Sequence, residues 1–452
     1  MLLLALLATG AADWFPMRWP AADPQSLRVF EGTPVNCILL ESDAWSAGLL
    51  AEAKRRHLST LPVIHPGAEA VDMARRAAAM PFDAMVLEGD FDPAARDAIR
   101  SLTRLPLIEL TSRARMRFDS GDPVVGTTQG VWAGLEIEHG GKVMSAPTSA
   151  PWIDTNSGFL RFARASTKSA IWMATKPPPG NIYRPERYVQ AIADAEICGA
   201  RWIIALDDSF QARLLKDDPK AVRDWQFIVR HLVYFREHDE AHRWSDWSQF
   251  AVLEDSETGA RLSFGLIDML SAQRTAVRPV PVRLFGADSL RQTAAVLNLH
   301  PTGLNPEQAR LLDEFRKSGG AVLDPPAGWR FPPVPEGEFI MGRPQADALQ
   351  PIWEITYKAT LRKNFGSRTF NTAGVLSNTV ASPDGKTAMV YLVNYTDFPA
   401  ESITVHALGS WRRVRIFEPG GVIKDLESYP VAGGTGVDLE ALATVAAVQF
   451  ER

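Results

Sequence analysis

Short apolar runs return at nearly regular intervals through the first half of the chain, and this spacing restricts the fold more than any other feature. The first four runs begin at residues 36, 61, 84 and 105. The segments between them are each long enough for one helix, and they are Ala47–His57, Ala68–Ala79 and Pro93–Ser101. A strand and a helix repeated in this way indicate parallel β/α construction.

Later runs extend the same pattern, and they are Val131–Ile137, Ala170–Thr175 and Trp202–Leu206. A helix over Pro185–Cys198 precedes the last run, and a longer helix begins at Asp218. Seven or eight such units predict a (β/α)8 TIM-like barrel over residues 30–248 rather than an open sheet, because about 220 residues suit one barrel.

The second half of the chain predicts two smaller domains. In residues 249–350 the predicted strands are Phe250–Leu253, Val280–Leu284 and Ala321–Leu323, and the predicted helices are Ser263–Ala272, Asp288–Leu297 and a segment opened by Asn305-Pro306. This order predicts a small flavodoxin- or amidotransferase-like α/β domain that ends in a Pro-rich linker. Residues 351–452 alternate short strands with Gly, Pro and Asp turns, which predicts a C-terminal antiparallel β-sandwich.

The first residues, Met1–Ala12, form an apolar run that resembles the apolar segment of a secretory signal. We therefore set residues 1–29 apart as a signal-like segment with an N-terminal extension, and we expect a periplasmic or secreted protein. No later run is long enough to span a bilayer, so no membrane partner is expected.

Charge and cysteine content exclude several classes of function. Lys plus Arg is 48 against 53 for Asp plus Glu, whereas a nucleic-acid binder usually carries an excess of basic residues. The two cysteines, Cys37 and Cys198, form neither a disulfide framework nor a zinc-binding pattern. We therefore expect no nucleic acid, no metal and no cofactor.

Acidic residues recur where the predicted barrel strands end, which is the active-site face of a barrel. Paired carboxylates there suit glycoside hydrolysis, because one protonates the leaving oxygen while the other attacks carbon or activates water. We predict Asp207 as nucleophile or base, with Glu88 or Glu109 as acid. Further acidic residues in such positions are Glu41, Asp90, Asp154 and Asp208, of which the last three would tune pKa values or hold sugar hydroxyls. Each carboxylate also has a structural alternative, since strand ends often carry helix caps.

Aromatic and amide side chains near the same strand ends could bind a sugar, because a flat indole packs against the apolar face of a pyranose. The residues predicted to bind substrate in this way are Trp152, Trp132, Gln129, Asn156, Asn36 and Lys176. Ordinary core packing is the alternative for the tryptophans.

The layout of the chain resembles the family 42 glycoside hydrolases, which are β-galactosidases. The residues that carry the resemblance are Phe250–Glu254, Gly265–Leu270, Leu311–Phe315, Ser318–Leu323 and Val390–Thr396. The resemblance implies a catalytic barrel, a trimerisation domain with an amidotransferase-like fold, and a small β-sandwich. It also implies a homo-oligomer formed through the middle domain. Residues 249–350 contain no cysteine that could serve as an amidotransferase nucleophile.

Two functions therefore stand as hypotheses. The first is a glycoside hydrolase acting on a plant- or microbe-derived oligosaccharide. The second is a non-catalytic carbohydrate-binding or scaffold protein on a degenerate barrel. The second is motivated by Glu109, which follows Ile108 where enzymes of this clan have an Asn-Glu pair after the fourth strand. The separation of the working carboxylates would decide the stereochemistry, with roughly 5–5.5 Å for retention and roughly 6.5–9.5 Å for inversion.

Overall fold

The computed structural model describes residues 10–135, 137–138, 142–143, 153–254, 259–300, 303–330, 343–361 and 363–452. These residues form two compact units. The first comprises the described residues up to Gly130, with Thr167–Ile192 and Ala200–Arg236. The second comprises the described parts of Val131–Ser166, Ala193–Gly199 and Glu237–Arg452.

A closed barrel of parallel strands forms the first unit. In the described chain its strands are Pro16–Arg18 (β1), Cys37–Leu40 (β2), Ser59–Ile64 (β3), Met85–Glu88 (β4), Leu107–Thr111 (β5), Val124–Thr127 (β6), Ala170–Ala174 (β7) and Arg201–Ile203 (β8). Each strand pairs in parallel with the next one along the chain. The backbone N–H of Arg18 donates to the carbonyl of Ile204 at 2.8 Å, which joins β8 to β1 and closes the barrel. The predicted barrel is confirmed.

Two of the barrel strands were not predicted from the sequence. β1 lies inside the segment of residues 1–29 that the sequence set apart from the barrel. β6 lies at Val124–Thr127, whereas the sequence predicted a strand at Val131–Ile137, where the structure has only the short pieces Gly134–Leu135 and Ile137–Glu138. Both real strands are short, and a run of three or four residues gives too little pattern to identify a strand.

Apolar side chains fill the barrel interior from alternate positions of its strands. Leu39, Val63 and Val86 are fully or almost fully buried there, and the indole of Trp172 is fully buried in the same cluster. Gly126 makes room for this packing, because a Cβ at that position would lie 2.3 Å from a methyl group of Leu110 and 2.9 Å from the carbonyl oxygen of Trp172. The sequences of these strands are therefore continuously apolar and do not alternate with polar residues, as expected for a sheet buried on both faces.

The helices in the first half of the chain lie between and after the barrel strands, and the sequence predicted five of those described here but not Ser157–Ser166, Asp208–Leu215 or Asp239–His242. They are Ala47–Arg55 (α1), Ala70–Ala78 (α2), Pro93–Leu102 (α3), Ser157–Ser166 (α4), Pro185–Glu196 (α5), Asp208–Leu215 (α6), Pro219–Glu237 (α7) and the short Asp239–His242 (α8). Side-chain caps begin several of them: the Ser46 hydroxyl accepts from the N–H of Leu49 at 3.1 Å, and Asp92 accepts from the N–H of Ala94 at 2.9 Å. Each cap satisfies an N–H that has no partner within the first helical turn.

A small parallel α/β fold opens the C-terminal half of the second unit. Its strands are Phe250–Glu254 (β9), Arg278–Pro281 (β10), Ala295–Asn298 (β11) and Ala321–Leu323 (β12), in the sheet order β10-β9-β11-β12. Its helices are Gly259–Ala272 (α9), Pro306–Lys317 (α10) and Arg343–Thr360 (α11). The predicted helix at Asp288–Leu297 was wrong: one 3-10 turn at Ala287–Leu290 is followed by β11, whose four residues are all buried in the sheet.

The chain ends in a sandwich of two antiparallel sheets. Its strands are Ser367–Phe370 (β13), Val375–Ala381 (β14), Thr387–Asn394 (β15), Ala400–Leu408 (β16), Arg413–Glu418 (β17), Val422–Asp425 (β18), Ser428–Val431 (β19), Gly434–Leu442 (β20) and Val445–Glu451 (β21). One sheet has the order β14-β15-β21-β17-β18, with Ser245–Asp246 added at the β14 edge, and the other has the order β13-β16-β20-β19. Alternate residues such as Val390, Val405 and Val437 are buried in the core of the sandwich. The predicted fold class is confirmed.

Among the described residues, no helix is both long enough and apolar enough to cross a membrane.

Candidate functional site

A cavity of about 680 Å³ lies at the carboxyl end of the barrel strands. Arg18 ends β1, Glu41 follows β2, and Lys176 follows β7. The residues that line the cavity are Arg18, Trp19, Pro20, Leu39, Glu41, Lys176–Ile182, Ala205–Ser209 and Gln211. Because parallel strands deliver their carboxyl ends to one face of a barrel, short segments far apart in sequence meet here.

The Glu41 carboxylate is held between two basic side chains. His65 Nε2 lies 2.9 Å from Glu41 Oε2, and Lys176 Nζ donates to Glu41 Oε1 at 3.0 Å. Partial burial alone would raise the pKa of Glu41, but the hydrogen bonds and charges of His65 and Lys176 outweigh it and lower the pKa to about 2. The same hydrogen bond acts on its other partner, because the bond to Glu41 raises the pKa of His65. Glu41 is therefore a carboxylate at every pH near neutrality.

Glu88 forms the next part of the same network. Arg18 Nη2 donates to Glu88 Oε1 at 2.5 Å, and Arg18 Nη1 lies 3.7 Å from Glu41 Oε1. One ligand atom from each of Glu41, His65 and Glu88 lies within 4.8 Å of the other two, which is close enough to share a metal ion. The charges of Arg18 and Lys176 already balance the two carboxylates, however. The group therefore offers no excess negative charge to a divalent cation and forms a network of ion pairs.

Asp207 and Asp208 both line the cavity but have different surroundings. Asp207 is the N-cap of α6, where its Oδ1 accepts from the N–H of Phe210 at 2.8 Å. Its Oδ2 accepts from the hydroxyl of Tyr188 at 2.8 Å, and burial raises the pKa of Tyr188, which keeps that hydroxyl protonated. Asp208 is exposed, and its side chain has no hydrogen bond or ion pair within the described part of the chain. Asp208 is therefore the more available of the two carboxylates.

Two other predicted acids, Glu109 and Asp90, lie in a different cavity of about 250 Å³. Glu109 accepts from Arg100 at 3.1 Å and from Arg117 at 3.0 Å. Asp90 accepts from the N–H of Ser112 at 2.9 Å. Of the three predicted catalytic carboxylates, Asp207 lines the large cavity and Glu88 adjoins it through Arg18. Glu109 does neither, because two arginines hold it at the other cavity.

The predicted position of Asn36 in a sugar site needs correction. Asn36 precedes β2, so it lies at the amino end of the strand whose carboxyl end leads to Glu41. Its side chain accepts from the N–H of Phe15 at 2.8 Å and donates to the carbonyl of Asp13 at 3.0 Å. Asn36 therefore holds the chain before β1 and has a structural role.

The remaining predicted substrate-binding residues are divided between the two units. Lys176 lies in the lining of the large cavity. Gln129 follows β6, and its Oε1 accepts from the N–H of Arg113 at 2.8 Å. Asn156 is buried in the second unit, where its amide donates to Val131 O at 2.8 Å and to Asp194 at 2.9 Å, so its role is also structural. Trp132 belongs to the second unit as well and is half-buried. Trp152 and the side chain of Asp154 lie outside the described residues.

Three residues of this site had no role assigned from the sequence: Glu41, His65 and Arg18. Glu41 stood out only as one of several strand-end acids. His65 follows β3, and Arg18 ends β1 in the segment set apart from the barrel. A charged or titratable residue directly after each short apolar run was the available signal. Applying it to His65 required no structure, whereas Arg18 could be found only once β1 was known.

Comparison with known proteins supports the fold. No family model matches the chain, and no curated protein matches it. Among solved structures, the chain is similar to the α-L-fucosidase isoenzyme 2 from Paenibacillus thiaminolyticus, with a TM-score of 0.62 and 11% identity over 97% of this chain and 99% of that one. A maltogenic α-amylase from Thermotoga neapolitana matches at a TM-score of 0.33 and 8% identity over 98% and 99% of the two chains, a level of likeness that carries no further weight.

The fold is therefore one found among (β/α)8-barrel glycoside hydrolases. At 11% identity the likeness extends to the fold alone, and the resemblance to family 42 stays a prediction.

Proposed function

We propose that this protein is a glycoside hydrolase whose reacting carboxylates are Glu41 and Asp208. One observation carries the proposal: an ionised Glu41 faces a cavity of about 680 Å³ at the barrel mouth, and the exposed Asp208 lines the same cavity. Small-molecule sites in proteins typically have volumes of roughly 300–1,000 Å³, so the cavity is large enough for a sugar. Glu41 replaces Glu88 and Glu109 as the preferred partner of an aspartate after β8.

The surroundings of Glu41 suit a group that stays charged through the reaction. With a pKa lowered to about 2, Glu41 cannot donate a proton near neutral pH. Its negative charge can stabilise the oxocarbenium-like transition state, and it can act as nucleophile or as base toward water. Lys176 and His65 fix its orientation, so little rearrangement is needed when a substrate binds.

Asp208 is the candidate for proton transfer. It is free of internal hydrogen bonds within the described residues and lines the same cavity, so it can approach a bound glycosidic oxygen. In the proposed reaction the bond between the anomeric carbon and the leaving oxygen breaks, and that oxygen takes the proton of Asp208. The oxygen of a water molecule ends on the anomeric carbon, and the proton that this water loses passes to Asp208, which restores the acid for the next turnover.

The cavity also offers surfaces that suit a sugar ring. Pro20 and Ile182 provide exposed apolar surface, and the side chains of Gln211 and Asn181 can bond hydroxyl groups. Lys176 is followed by three prolines, so a stiff segment forms one wall. A plant- or microbe-derived oligosaccharide is the proposed substrate class. The resemblance to family 42 makes β-galactosides, and the structural match makes α-L-fucosides, the first candidates to test.

A panel of aryl glycosides and natural oligosaccharides tests the proposal. We expect turnover of at least one substrate, with kcat lowered about 10²–10⁴-fold in Glu41→Gln and in Asp208→Asn. Glu109→Gln makes the same change of charge at the other cavity and is the matched control, for which we expect full activity. Thermal unfolding of each variant identifies losses that come from misfolding. Turnover by Asp208→Asn equal to the wild type would remove Asp208 from the mechanism.

A second candidate function, sugar binding without hydrolysis, is favoured by the pairing of the other acids. Glu88 is bonded to Arg18, Glu109 to two arginines, and Asp207 to a helix N-terminus and a tyrosine. A protein of this kind would bind sugars in calorimetry and leave every member of the panel uncleaved.

We also propose export and self-association, which rest on the sequence alone. The apolar run Met1–Ala12, of which residues 1–9 lie outside the described chain, supports a periplasmic or secreted location. Cell fractionation tests this location, and recovery in the cytosol would contradict it. The resemblance to family 42 supports a homo-oligomer formed through residues 249–350. Light scattering tests this, and a monomeric mass would contradict it.

A further inference from the structure

A row of side chains crosses the outer face of one sheet of the C-terminal sandwich. In the sheet of order β13-β16-β20-β19, the register pairs Arg368 with His406, His406 with Gly436, and Gly436 with Tyr429. These four residues therefore lie side by side, one on each strand. The residue before His406 on β16, Val405, is buried in the core, and successive side chains of a strand point to opposite faces. The row therefore faces away from the core of the sandwich.

Two rings of this row meet at a right angle. The ring of Tyr429 lies over Gly436, because a Cβ at Gly436 would lie 2.5 Å from Tyr429 Cε2. The ring of His406 stands across it, with the ring centroids 6.3 Å apart and the ring planes at 88°. Phe370 also packs against His406, at a centroid distance of 4.8 Å. The lack of a side chain at Gly436 therefore leaves room for the tyrosine ring on the sheet.

A carboxylate lies beside the two rings. Asp438 Oδ1 accepts from the hydroxyl of Thr404 at 2.6 Å and from the hydroxyl of Tyr429 at 3.0 Å. Partial burial and the bond to Asp438 raise the pKa of Tyr429, so its hydroxyl stays protonated. Asp438 is exposed, and its Oδ2 makes no hydrogen bond within the part of the chain that the structure describes. Tyr429, His406 and Asp438, which we call the sandwich corner, thus combine two ring surfaces with an available acceptor.

We propose that the sandwich corner binds one ring of a neutral sugar chain. The apolar face of the sugar would stack on Tyr429, its edge would contact His406, and one of its hydroxyls would donate to Asp438 Oδ2. None of the groups proposed to react takes part. The inference therefore goes beyond the proposed function and holds whether or not the barrel cleaves glycosides.

The charges around the sandwich corner favour a neutral ligand over a polyanion. Aromatic rings also stack on nucleic-acid bases, but that ligand brings phosphates that need basic side chains. Partial burial is the largest influence on His406 and lowers its pKa, so the ring is uncharged at neutral pH. The guanidinium of Arg368 already donates to the carbonyl of Thr360 at 3.0 Å. Asp438 and the exposed Glu440, two residues further along β20, would repel phosphates.

Affinity electrophoresis of the full chain tests the proposal. Each gel contains one neutral polysaccharide (galactan, xylan, glucomannan or amylose), and slowed migration of the protein measures binding. We expect at least one polysaccharide to retard the wild type. Tyr429→Ala removes the stacking surface, so we expect its association constant to fall at least about tenfold. Tyr429→Phe keeps the ring and should retain most of the binding.

Two further variants keep the test decisive if Tyr429→Ala does not fold, which thermal unfolding shows. His406→Ala removes the second ring and leaves the bond between Tyr429 and Asp438, and it should also bind more weakly. Asp438→Asn keeps an oxygen for its two donors and loses the charge, and we expect its association constant to fall about threefold. Phe398→Ala is the matched control, because it removes a ring that is 79% exposed in the loop between β15 and β16 of the same sandwich. Its binding should equal that of the wild type.

The results separate this inference from the proposed function. Wild-type migration that no polysaccharide slows, or equal binding by folded Tyr429→Ala, would overturn the inference. A single-stranded oligonucleotide that binds in place of the polysaccharides and is lost in Tyr429→Ala would also overturn it. Polysaccharide binding that Tyr429→Ala loses, in a protein that turns over no glycoside, would support the inference and contradict the proposed function.

Discussion

His65 Nε2 and Glu41 Oε2 are 2.9 Å apart, so the residue after one barrel strand holds the carboxylate that follows the neighbouring strand. Neither residue could take this role alone. Without His65 and Lys176, partial burial would raise the pKa of Glu41, and without Glu41 the pKa of His65 would lose the largest influence that raises it. The geometry of the proposed site thus depends on a charge pair built across β2 and β3.

The pair predicts a bell-shaped dependence of stability on pH. The contribution of Glu41 is present above its unfolded pKa of 4.5 and is lost as the pH falls toward about 2. The contribution of His65 is fully present below its unfolded pKa of 6.5 and is lost as the pH rises through the raised pKa of the folded state. We therefore expect the melting temperature of the wild type to exceed that of His65→Gln most between pH 4.5 and 6.5. Differential scanning fluorimetry across pH 3–9 measures this, and a difference that grows above pH 8 would contradict it.

Substitutions at the neighbouring residues Asp207 and Asp208 should have different effects: the first should lower stability and the second should lower activity. Asp207→Ala removes the cap of α6 and leaves Tyr188 without its acceptor, so we expect a loss of about 1–2 kcal/mol in the free energy of unfolding. Asp207→Asn keeps an oxygen at the cap and should retain most of the stability and the activity. Asp208→Asn should keep the stability and lose the activity. Urea unfolding together with turnover on the best glycoside distinguishes these outcomes, and an inactive but stable Asp207→Asn would transfer the catalytic role to Asp207.

Gly126 provides a test of the barrel interior. A Cβ there would lie 2.3 Å from Leu110 and 2.9 Å from the backbone of Trp172, and the backbone cannot move aside cheaply. We expect Gly126→Ala to lower the free energy of unfolding by about 1–3 kcal/mol, as for other overpacked cores. Gly286→Ala is the control, since no atom lies within 4 Å of a Cβ built there. If Gly126→Ala and Gly286→Ala were equally stable in urea, the barrel interior would have room for an additional methyl group at position 126, which would contradict this prediction.

The alternation of apolar runs and helices was sufficient to predict the barrel, because most of the mainly apolar runs of five or six residues contain a strand that is covered on both faces. β1 was not predicted because it has three residues and follows an apolar run that resembles a signal segment. β6 was not predicted because Gly126 interrupts its apolar pattern. A short strand is stabilised by the strands that it pairs with in the barrel, and a short stretch of sequence does not show which strands those are.

The sequence was sufficient to predict that the candidate site lies at the ends of the barrel strands, but not which of the strand-end residues form it. The position after a strand selected Asp207, which lines the large cavity, but it also selected Glu109 and Asp90, which line another one. The choice among them depended on partners distant in sequence: Arg18 pairs with Glu88 across 70 residues, and Lys176 pairs with Glu41 across 135. Local spacing cannot show which carboxylate an arginine neutralises and which one faces a cavity. The predicted combination, Asp207 with Glu88 or Glu109 as the acid, was selected without that knowledge.

The second unit contains a buried carboxyl group whose titration should weaken the fold. Asp268 is buried, and its Oδ1 accepts from Thr155 at 2.9 Å, from Ser157 at 2.8 Å and from the N–H of Gly158 at 2.9 Å. Burial is the largest influence and, with the charge of Asp194, raises the pKa of Asp268 to about 8, although the bonds from Ser157 and Thr155 act in the opposite direction.

Between pH 3.8 and about 8 the folded state therefore binds a proton at Asp268 that the unfolded state lacks, so this group makes the protein less stable as the pH rises. The slope is about 1.4 kcal/mol per pH unit at most. Asp268→Asn retains an oxygen for the three donors and cannot ionise. We expect it to match the wild type near pH 4 and to be more stable at pH 7–8. Urea unfolding at several pH values measures the difference, and a variant that is less stable at every pH would show that Asp268 is needed as a carboxylate.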